Sequence, residues 1–316
     1  MPTPPEASVL LKALSVLEEV GAVDSEGDIT PLGKQVVRMG CDVRVAKMLL
    51  WCKVYGCGEL GLGIAGWLGV GKGIWASEDE GGGGKRKMWE EVCEGNDFLV
   101  FGKVWEGYKE AGAQAGSNKW KWCRENGIRG NVMSEISDIV GNLRGSLRGL
   151  TKGEGAGRNE GDVNVLGLCL AGGFGGNLLR REGKELRWKK ELVAVGKESG
   201  MTGRWGRCDL LVFAEKFTTS KLWVSGIAEI GKLEACLGVR DVRFEFKDGV
   251  VVLGGHVRVE IGNARAMWLM REARKMTAKG MRKVWEGGIW EGFIGKGGED
   301  VVVGMVREGV GRACSY

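Results

Sequence analysis

Histidine, proline and glutamine are scarce in this sequence, and paired cysteine motifs are missing. The 316 residues contain 1 His, 4 Pro and 2 Gln, together with 9 Cys, none of which forms a Cys-x-x-Cys pair. A structural zinc site needs four Cys or His ligands, usually in close pairs, so the sequence predicts no metal site. The cysteines are expected to be free thiols, mostly buried, in a reducing compartment.

Long apolar stretches are also missing. No window reaches the roughly 18 apolar residues of a membrane span, and the longest candidate, Val165 to Phe174, is interrupted by glycines. The N-terminus has no apolar core of the kind found in secretory signals. With 43% apolar and 28% charged residues, the composition is typical of a soluble globular protein of two or three domains. We therefore expect an intracellular location, in the cytoplasm or nucleus, and no membrane partner.

Glycine is present in excess, with 57 residues, beside 13 tryptophans. Pro, His and Gln codons begin with C, whereas Gly and Trp codons are rich in G, so a coding strand rich in G and poor in C explains the bias. Many glycines are then replacements of other residues, each costing about 0.5–1 kcal/mol inside a helix relative to Ala. Gly66, Gly71 and Lys72 have the spacing of a phosphate-binding loop, but Gly73 replaces the required Ser or Thr. We interpret this motif as a chance match.

Positive charge is concentrated in the later chain. Lys and Arg outnumber Asp and Glu by 14 to 8 in residues 117–190 and by 16 to 9 in residues 203–283, whereas residues 1–42 contain 3 basic and 7 acidic residues. Clustered cations suit contacts with a phosphate backbone. A pair of solvated basic surfaces explains the charge alone equally well.

The first 42 residues predict a winged-helix domain. Capping-box spacing at Thr3 and Glu6, with Pro4 at the first helical position, predicts a helix that ends at Gly21. A tight turn and a short extended segment follow, and Thr30-Pro31 begins a second helix.

Helical periodicity continues after this domain. Residues 43–162 are predicted to form a helical bundle, with a flexible basic loop at 81–87 and a Gly-rich linker at 151–162. One more helix is predicted near residues 165–181.

From about Glu185 the hydrophobic period changes to two. Short β-rich runs over about 80 residues predict a small OB-like barrel, so residues 163–262 are assigned to an OB-fold-like domain with a leading helix. Residues 263–316 are predicted to form a C-terminal helix, at 263–285, and a loosely held tail. The predicted strands are residues 186–188, 191–195, 209–213, 222–224, 242–246 and 250–253.

The order of these parts and several motifs resemble one family. The runs ALSVLEEVGAVD from Ala13, GDITPLG from Gly27 and DVRVAKMLL from Asp42 closely resemble the helicase-associated region of DEAH-box and related RNA helicases. In that family a winged helix leads into a helical "ratchet" domain and then an OB domain. The resemblance implies a multidomain α+β fold, with a winged helix and ratchet bundle followed by an OB-like β-barrel and a C-terminal helix.

Later segments fit the same family, with departures. Residues 96–99 look like its Ser-Asp-His-Leu, residues 122–126 like its Trp-Cys-x-x-Asn, and residues 213–221 are similar to its OB strand ending in Thr-Ser-Lys. An aromatic residue and arginines common in the family are replaced by Gly127, Asn131 and Val140. These losses weaken the ratchet as an RNA-gripping surface.

The resemblance implies an RNA-binding C-terminal half of a DEAH-type ATP-dependent RNA helicase, which grips single-stranded RNA for motor domains absent from this chain. The sequence has no complete Walker A motif and no Asp-Glu-x-His, so no catalytic residue is predicted and the chain alone is expected to be inactive. ATP and Mg²⁺ are expected only in the motor domains, which with an activator protein are the other implied partners. RNA contacts are implied at Arg124, Asn126 and Arg129 in the ratchet and at Thr219, Ser220 and Lys221 in the barrel.

Two other functions stay open at this point. The chain is either this RNA-binding region or a stand-alone interaction module that docks helicase activators or other partners. A DNA-binding winged-helix regulator is a third reading, for which the acidic first 42 residues are poor evidence. The chain is expected to be a fragment, a truncated gene product or a stand-alone descendant of such a helicase. Trp122 is expected to pack in the core, and His256 to be structural.

Overall fold

The computed structural model describes residues 4–79, 82–113, 118–148 and 157–287, together with Val302 and Met305. Within these ranges a helical part precedes a β-rich part, and a long helix closes the described chain. The helices are α1 (Ala7–Val20), α2 (Pro31–Met39), α3 (Val43–Val54), α4 (Gly58–Val70), α5 (Gly82–Val92), α6 (Asp97–Ala113), α7 (Lys119–Glu125), α8 (Gly130–Arg148), α9 (Val163–Phe174), α10 (Lys232–Gly238) and α11 (Ala264–Trp285). The strands are β1 (Leu178–Glu182), β2 (Glu185–Trp188), β3 (Glu191–Val195), β4 (Leu210–Thr218), β5 (Leu222–Glu229), β6 (Val242–Glu245), β7 (Val250–Leu253) and β8 (Val257–Glu260).

The first two helices are delimited by residues that the sequence identified, except at the start of α1. Gly21 ends α1 in the left-handed conformation, with φ 87°, and the Thr30 hydroxyl caps α2 by accepting a hydrogen bond from the Gly33 N–H at 3.0 Å. The predicted helix start is wrong, because Pro4 precedes the helix and Glu6 is its N-cap. Pro5 disfavours the helical conformation of Pro4. Thr3 lies outside the described residues.

Helix α5 corrects a second prediction. Residues 82–87 were expected to belong to a flexible basic loop, but they begin an 11-residue helix; Gly81 lies outside the described residues. The Arg86 and Glu90 side chains form an ion pair of 2.6 Å across one helical turn, and Trp89 packs against the core. Tertiary packing of this kind outweighs the low helix propensity of glycine.

The barrel has the strand order of an OB fold. Strands β1 to β5 close in the order β1-β2-β3-β5-β4, with β3 and β5 parallel and the other pairs antiparallel. This confirms the predicted α+β class with an OB-like barrel and a C-terminal helix. The helix predicted over residues 165–181 ends at Phe174, and its last residues form β1 instead. Leu178 and Leu179 are both fully buried, which in a strand places them on opposite faces.

The two last predicted barrel strands belong to another sheet. Residues 242–246 and 250–253 contribute β6 and β7, which pair with β8 in a three-stranded antiparallel sheet in the order β6-β7-β8. Strand β8 was not predicted. The assignment of β6 and β7 to the barrel was wrong, because strands that follow one another closely in sequence tend to pair with each other. The barrel is closed without them, by the pairing of β1 with β4.

One hydrophobic core joins the helical part to the barrel. In β1 and β4, Leu178, Leu210 and Val212 belong to the core that contains the helices, whereas Leu179 and Leu211 point into the barrel. Both faces of these two strands are therefore buried. The predicted domain boundaries at residues 42, 162 and 262 stay predictions. The linker positions 151–156 and the tail after residue 287, apart from Val302 and Met305, lie outside the described residues. Among the helices that the structure describes, none is long and apolar enough to cross a bilayer.

A buried lysine in this core gives a stability prediction. Lys47 on α3 is only 6% exposed, and burial, assisted by Arg240 and Arg274, lowers its pKa to about 7. The unfolded chain then holds a proton between pH 7 and pH 10 that the folded chain has released. Wild-type stability is therefore expected to rise by about 2 kcal/mol from pH 7 to pH 9 through this group.

Lys47→Met removes this group while keeping most of its volume. The variant is expected to be more stable than wild type at pH 7, because no ammonium needs to lose its proton on folding. The difference in unfolding free energy between the variant and wild type should become smaller as the pH rises towards 9. Urea titrations at pH 7 and pH 9 measure this difference. The same difference at both pH values would contradict the lowered pKa of Lys47.

Candidate nucleic-acid interface

A groove of about 490 Å³ separates the helical part from the barrel. Trp67 of α4 and Phe101 of α6 stack on the helical wall, with ring centroids 4.6 Å apart. Phe217 of β4 and Trp223 of β5 line the barrel wall, and Phe217 is 50% exposed. Phe101 is only 2% exposed, so the aromatic surfaces that suit flat ligands such as nucleobases are Trp67 on the helical wall and Phe217 and Trp223 on the barrel wall.

The turn between β4 and β5 lies at the barrel edge of the groove. Thr219, Ser220 and Lys221 are all exposed there. The Thr219 N–H donates to the Lys221 carbonyl at 3.0 Å, which closes the turn. The Trp223 indole Nε1–H donates to the Thr219 hydroxyl at 3.1 Å. The predicted barrel residues are thus attached to an aromatic side chain of the groove.

The opposite edge is formed by residues 71–75 and the segment that pairs with them. The Arg129 N–H donates to the Ile74 carbonyl at 2.8 Å, and Trp75 forms a β-bridge with Ile128. These contacts place the exposed Arg129 beside Gly73, a groove residue whose Cβ position would be 3.4 Å from the Arg129 Nη2 atom.

None of the six predicted residues lines the groove itself, although Arg129 and the Thr219–Lys221 turn adjoin residues that do. Arg124 is exposed on α7. Asn126 is the C-cap of α7, and its Nδ2 group donates to the Trp122 carbonyl at 2.9 Å. The structure thus places Arg129 and the Thr219–Lys221 turn next to residues of one groove, whereas Asn126 has a structural partner. Trp122 packs against the core as expected.

Asp97 fixes the floor of the groove. Its carboxylate accepts hydrogen bonds from the Ser199 hydroxyl at 2.7 Å and from the N–H groups of Gly200 and Ile227 at 2.8 Å each. Burial raises the pKa of this carboxyl to about 6, although the three hydrogen bonds oppose the shift. The first residue of α6 is thereby tied to β5 and to the loop after β3.

The glycine-lysine motif is not a phosphate-binding loop. Gly71 ends α4 in the left-handed conformation, and the Lys72 ammonium forms an ion pair of 2.7 Å with Glu135 on α8. A phosphate-binding loop follows a strand and begins a helix, whereas this one follows a helix. His256 is structural, since its ring nitrogens lie 2.7 Å from the Gly254 carbonyl oxygen and 3.2 Å from that of Leu178.

Comparison with known proteins identifies the first segment. The model of the helicase associated domain (HA2), winged-helix, matches residues 13–41. The DExH-box ATP-dependent RNA helicase DExH1 of Arabidopsis thaliana is 23% identical over 271 residues, which cover 80% of this chain and 27% of that protein. The chain resembles the helicase-associated C-terminal region of DExH-box RNA helicases.

Two further relatives agree with this assignment. The putative ATP-dependent RNA helicase DHX57 of Homo sapiens is 24% identical over 136 residues, or 43% of this chain and 10% of that protein. The probable ATP-dependent RNA helicase DHX34 of Mus musculus is 29% identical over 139 residues, or 43% of this chain and 12% of that protein. The aligned part of the chain therefore spans between 10% and 27% of the length of these three relatives.

Sequence reasoning missed the aromatic lining of the groove. Phe217 and Trp223 flank the predicted Thr219–Lys221 contacts, each two residues away. Aromatic residues on both sides of a polar turn are the signal that was available. Trp67 and Phe101 carried no such signal, because apolar helix positions alone do not distinguish a groove wall from a core.

Proposed function

We propose that this chain is the RNA-binding C-terminal half of a DExH-type RNA helicase and that it grips single-stranded RNA along the groove between the helical part and the barrel. The observation that carries the proposal is the combination of aromatic walls with cationic edges. Arg129 lies beside Gly73 at the helical edge, where Lys72 is already paired with Glu135, and Lys221 lies two residues from Trp223 at the barrel edge.

The charges of the groove favour bases over phosphates in its interior. The carboxylates of Glu90, Glu198 and Glu215 line it, and burial raises the pKa of Glu215. A phosphate inside would meet these acidic groups, whereas a base would stack on the aromatic walls. Phosphates would remain at the edges, near the cations, which gives binding without sequence preference.

ATP hydrolysis belongs, in this proposal, to motor domains outside the chain. The relatives are named as ATP-dependent RNA helicases. In this chain the glycine-lysine motif has the wrong structural context for phosphate. The chain would therefore hold RNA while another part of the protein supplies ATP and Mg²⁺ chemistry.

Lys221→Ala tests the proposed grip. Loss of one phosphate contact is expected to weaken single-stranded RNA binding for all sequences alike. It should also make the slope of log K against log salt shallower by about 0.7. Fluorescence anisotropy titrations of a labelled RNA at several salt concentrations measure both quantities.

Lys247→Ala is the matched control. Lys247 is an exposed lysine in the same basic part of the chain, between β6 and β7, so its removal changes the net charge equally. Lys247→Ala should show the same slope of log K against log salt as wild type. Equal slopes for wild type and Lys221→Ala, at matched stability, would contradict RNA contact at this turn.

A protein-docking module is the second candidate. Val9, Leu10 and Leu11 on α1 are 52%, 54% and 67% exposed, which is unusual for neighbouring apolar residues on one helix. A partner that covers α1 would explain them. The salt titrations separate the two candidates, because a pure docking module would show no salt-dependent binding of single-stranded RNA.

A further inference from the structure

Three cysteine thiols meet in the core, two of them from neighbouring positions and the third from more than a hundred residues later. Cys52 lies on α3, Cys57 is the N-cap of α4, and Cys169 lies on α9. Their Sγ atoms all lie within 4.8 Å of one another, and all three residues are 0% exposed. The Cys57 and Cys169 Sγ atoms are 3.8 Å apart.

This spacing matches three sulfurs around one ion. An ion bonded to sulfur at about 2.3 Å separates its ligand sulfurs by about 3.8–4.0 Å, in tetrahedral or trigonal arrangement. A disulfide would instead require a sulfur separation of about 2.05 Å. The three sulfurs could therefore accept an ion with shifts of a few tenths of an ångström.

The surrounding backbone places the sulfurs close together. Gly56 adopts φ 76° between α3 and α4, and the Cys57 N–H donates to the Cys52 carbonyl at 2.9 Å. A Cβ atom at Gly61 would lie 2.8 Å from the Cys52 Sγ, so only glycine leaves this sulfur its position.

The ligand number decides which class of ion fits. Within the described ranges, the cluster contains three Cys, His, Asp or Glu ligands and no fourth. Structural Zn²⁺ takes four ligands, one more than this cluster offers, and all three cysteines are 0% exposed. Soft thiolate ligands select Cu(I), which accepts three-coordinate geometry.

We propose that Cys52, Cys57 and Cys169 form a buried three-thiolate site for one soft monovalent cation of the Cu(I) class. Each thiol that coordinates the ion releases its proton to solvent, and no electron is transferred. Residues 159–160 cover this end of α4. The Asn159 N–H donates to the Gly56 carbonyl at 3.1 Å, and the Glu160 carboxylate accepts from the Glu59 N–H at 2.8 Å.

The test uses the full chain, purified with reductant and kept anaerobic. Cu(I) is supplied as its complex with a coloured chelator, and the loss of colour measures transfer to the protein. Wild type is expected to withdraw one Cu(I) per chain and to melt at a higher temperature with the ion, because the ligand binds the folded state. Zn²⁺ under the same conditions should bind more weakly.

Cys57→Ser and Cys169→Ala are each expected to weaken Cu(I) binding at least about a hundredfold. Serine keeps the capping position at residue 57, so that variant should fold even if the other does not. Cys236→Ser is the control, since Cys236 is equally buried on α10 outside the cluster. Failure of wild type to bind one Cu(I), wild-type affinity in Cys57→Ser, tighter binding of Zn²⁺, or a Cys57–Cys169 disulfide in the reduced preparation would each overturn the proposal.

Discussion

Asp97→Ala is expected to lower the free energy of unfolding by about 3 kcal/mol. The substitution removes the acceptor of three hydrogen bonds and leaves the N–H groups of Gly200 and Ile227 without that partner. Hydrogen bonds to a charged group contribute about 1.5–3 kcal/mol each, and the cost of burying this carboxylate, which raises its pKa, offsets part of their sum. Urea denaturation followed by circular dichroism measures the loss.

The pH dependence of this loss tests the cause of the raised pKa. The folded chain binds a proton on Asp97 at a higher pH, about 6, than the unfolded chain. Wild-type stability from this group therefore increases as the pH falls from 7 to 5, by about 1 kcal/mol. The difference between wild type and Asp97→Ala should widen over this range.

Asp138→Ala supplies the comparison for Asp97. Asp138 is an exposed carboxylate on α8, and its removal should change stability by less than about 0.5 kcal/mol at either pH. If the difference in unfolding free energy between wild type and Asp97→Ala became smaller at lower pH, the hydrogen bonds and not burial would determine the pKa of the Asp97 carboxyl. A loss no larger than that of Asp138→Ala would show that Asp97 does not tie α6 to the barrel.

Gly33→Ala is the second substitution expected to have a large effect, again about 3 kcal/mol of destabilisation. A Cβ atom at Gly33 would lie 2.0 Å from the Ala22 carbonyl oxygen. That oxygen also accepts hydrogen bonds from the Thr30 N–H at 2.9 Å and from the Thr30 hydroxyl at 3.2 Å. Since the obstructing atoms are backbone, the whole turn before α2 has to move, at the upper end of typical overpacking costs.

Gly141→Ala is the matched control for a glycine that the fold does not require. Gly141 lies within α8, and a Cβ atom there meets no described atom within 4 Å. Alanine should stabilise this helix by about 0.5–1 kcal/mol. Thermal melts should show a lower melting temperature for Gly33→Ala and a higher one for Gly141→Ala. This result would distinguish a glycine needed for close approach from one explained by nucleotide bias. A change in the same direction for both variants would contradict the role assigned to Gly33.

Local chemistry was the part of the fold that the sequence predicted well. Thr30-Pro31 begins α2, the Asn263 side chain caps α11, and the predicted limits of β3 and β7 agree with the structure. Each depends on neighbouring residues, such as a capping oxygen or alternating apolar side chains. Such signals are complete within a short window of sequence.

Long-range pairing was the part that local pattern did not determine. The period of two in residues 242–253 identified strands but not their sheet, because alternation is the same in a barrel and in a hairpin. Strand β1 was predicted as helix since Leu178 and Leu179 continue an apolar run. Burial on both faces of a strand erases the alternation that would have revealed it.

The candidate sites show the same division. The Thr219–Lys221 turn was found by resemblance, yet the groove exists only because α4, α6 and the barrel pack together. The cysteine cluster combines Cys52 and Cys57 with Cys169, more than a hundred residues later. Its spacing resembles no metal motif, so sequence reasoning predicted no metal site and had no means of placing the three thiols together.

Burial on both faces of β1 and β4 limits how far the width of the groove can change. Leu178 and Leu179 fix the barrel simultaneously from inside and from the helical side. The barrel therefore cannot swing about a hinge without exposing one of the two cores to water. The distance between the groove walls is set by core packing, so the proposed RNA strand would have to fit a gap of fixed width.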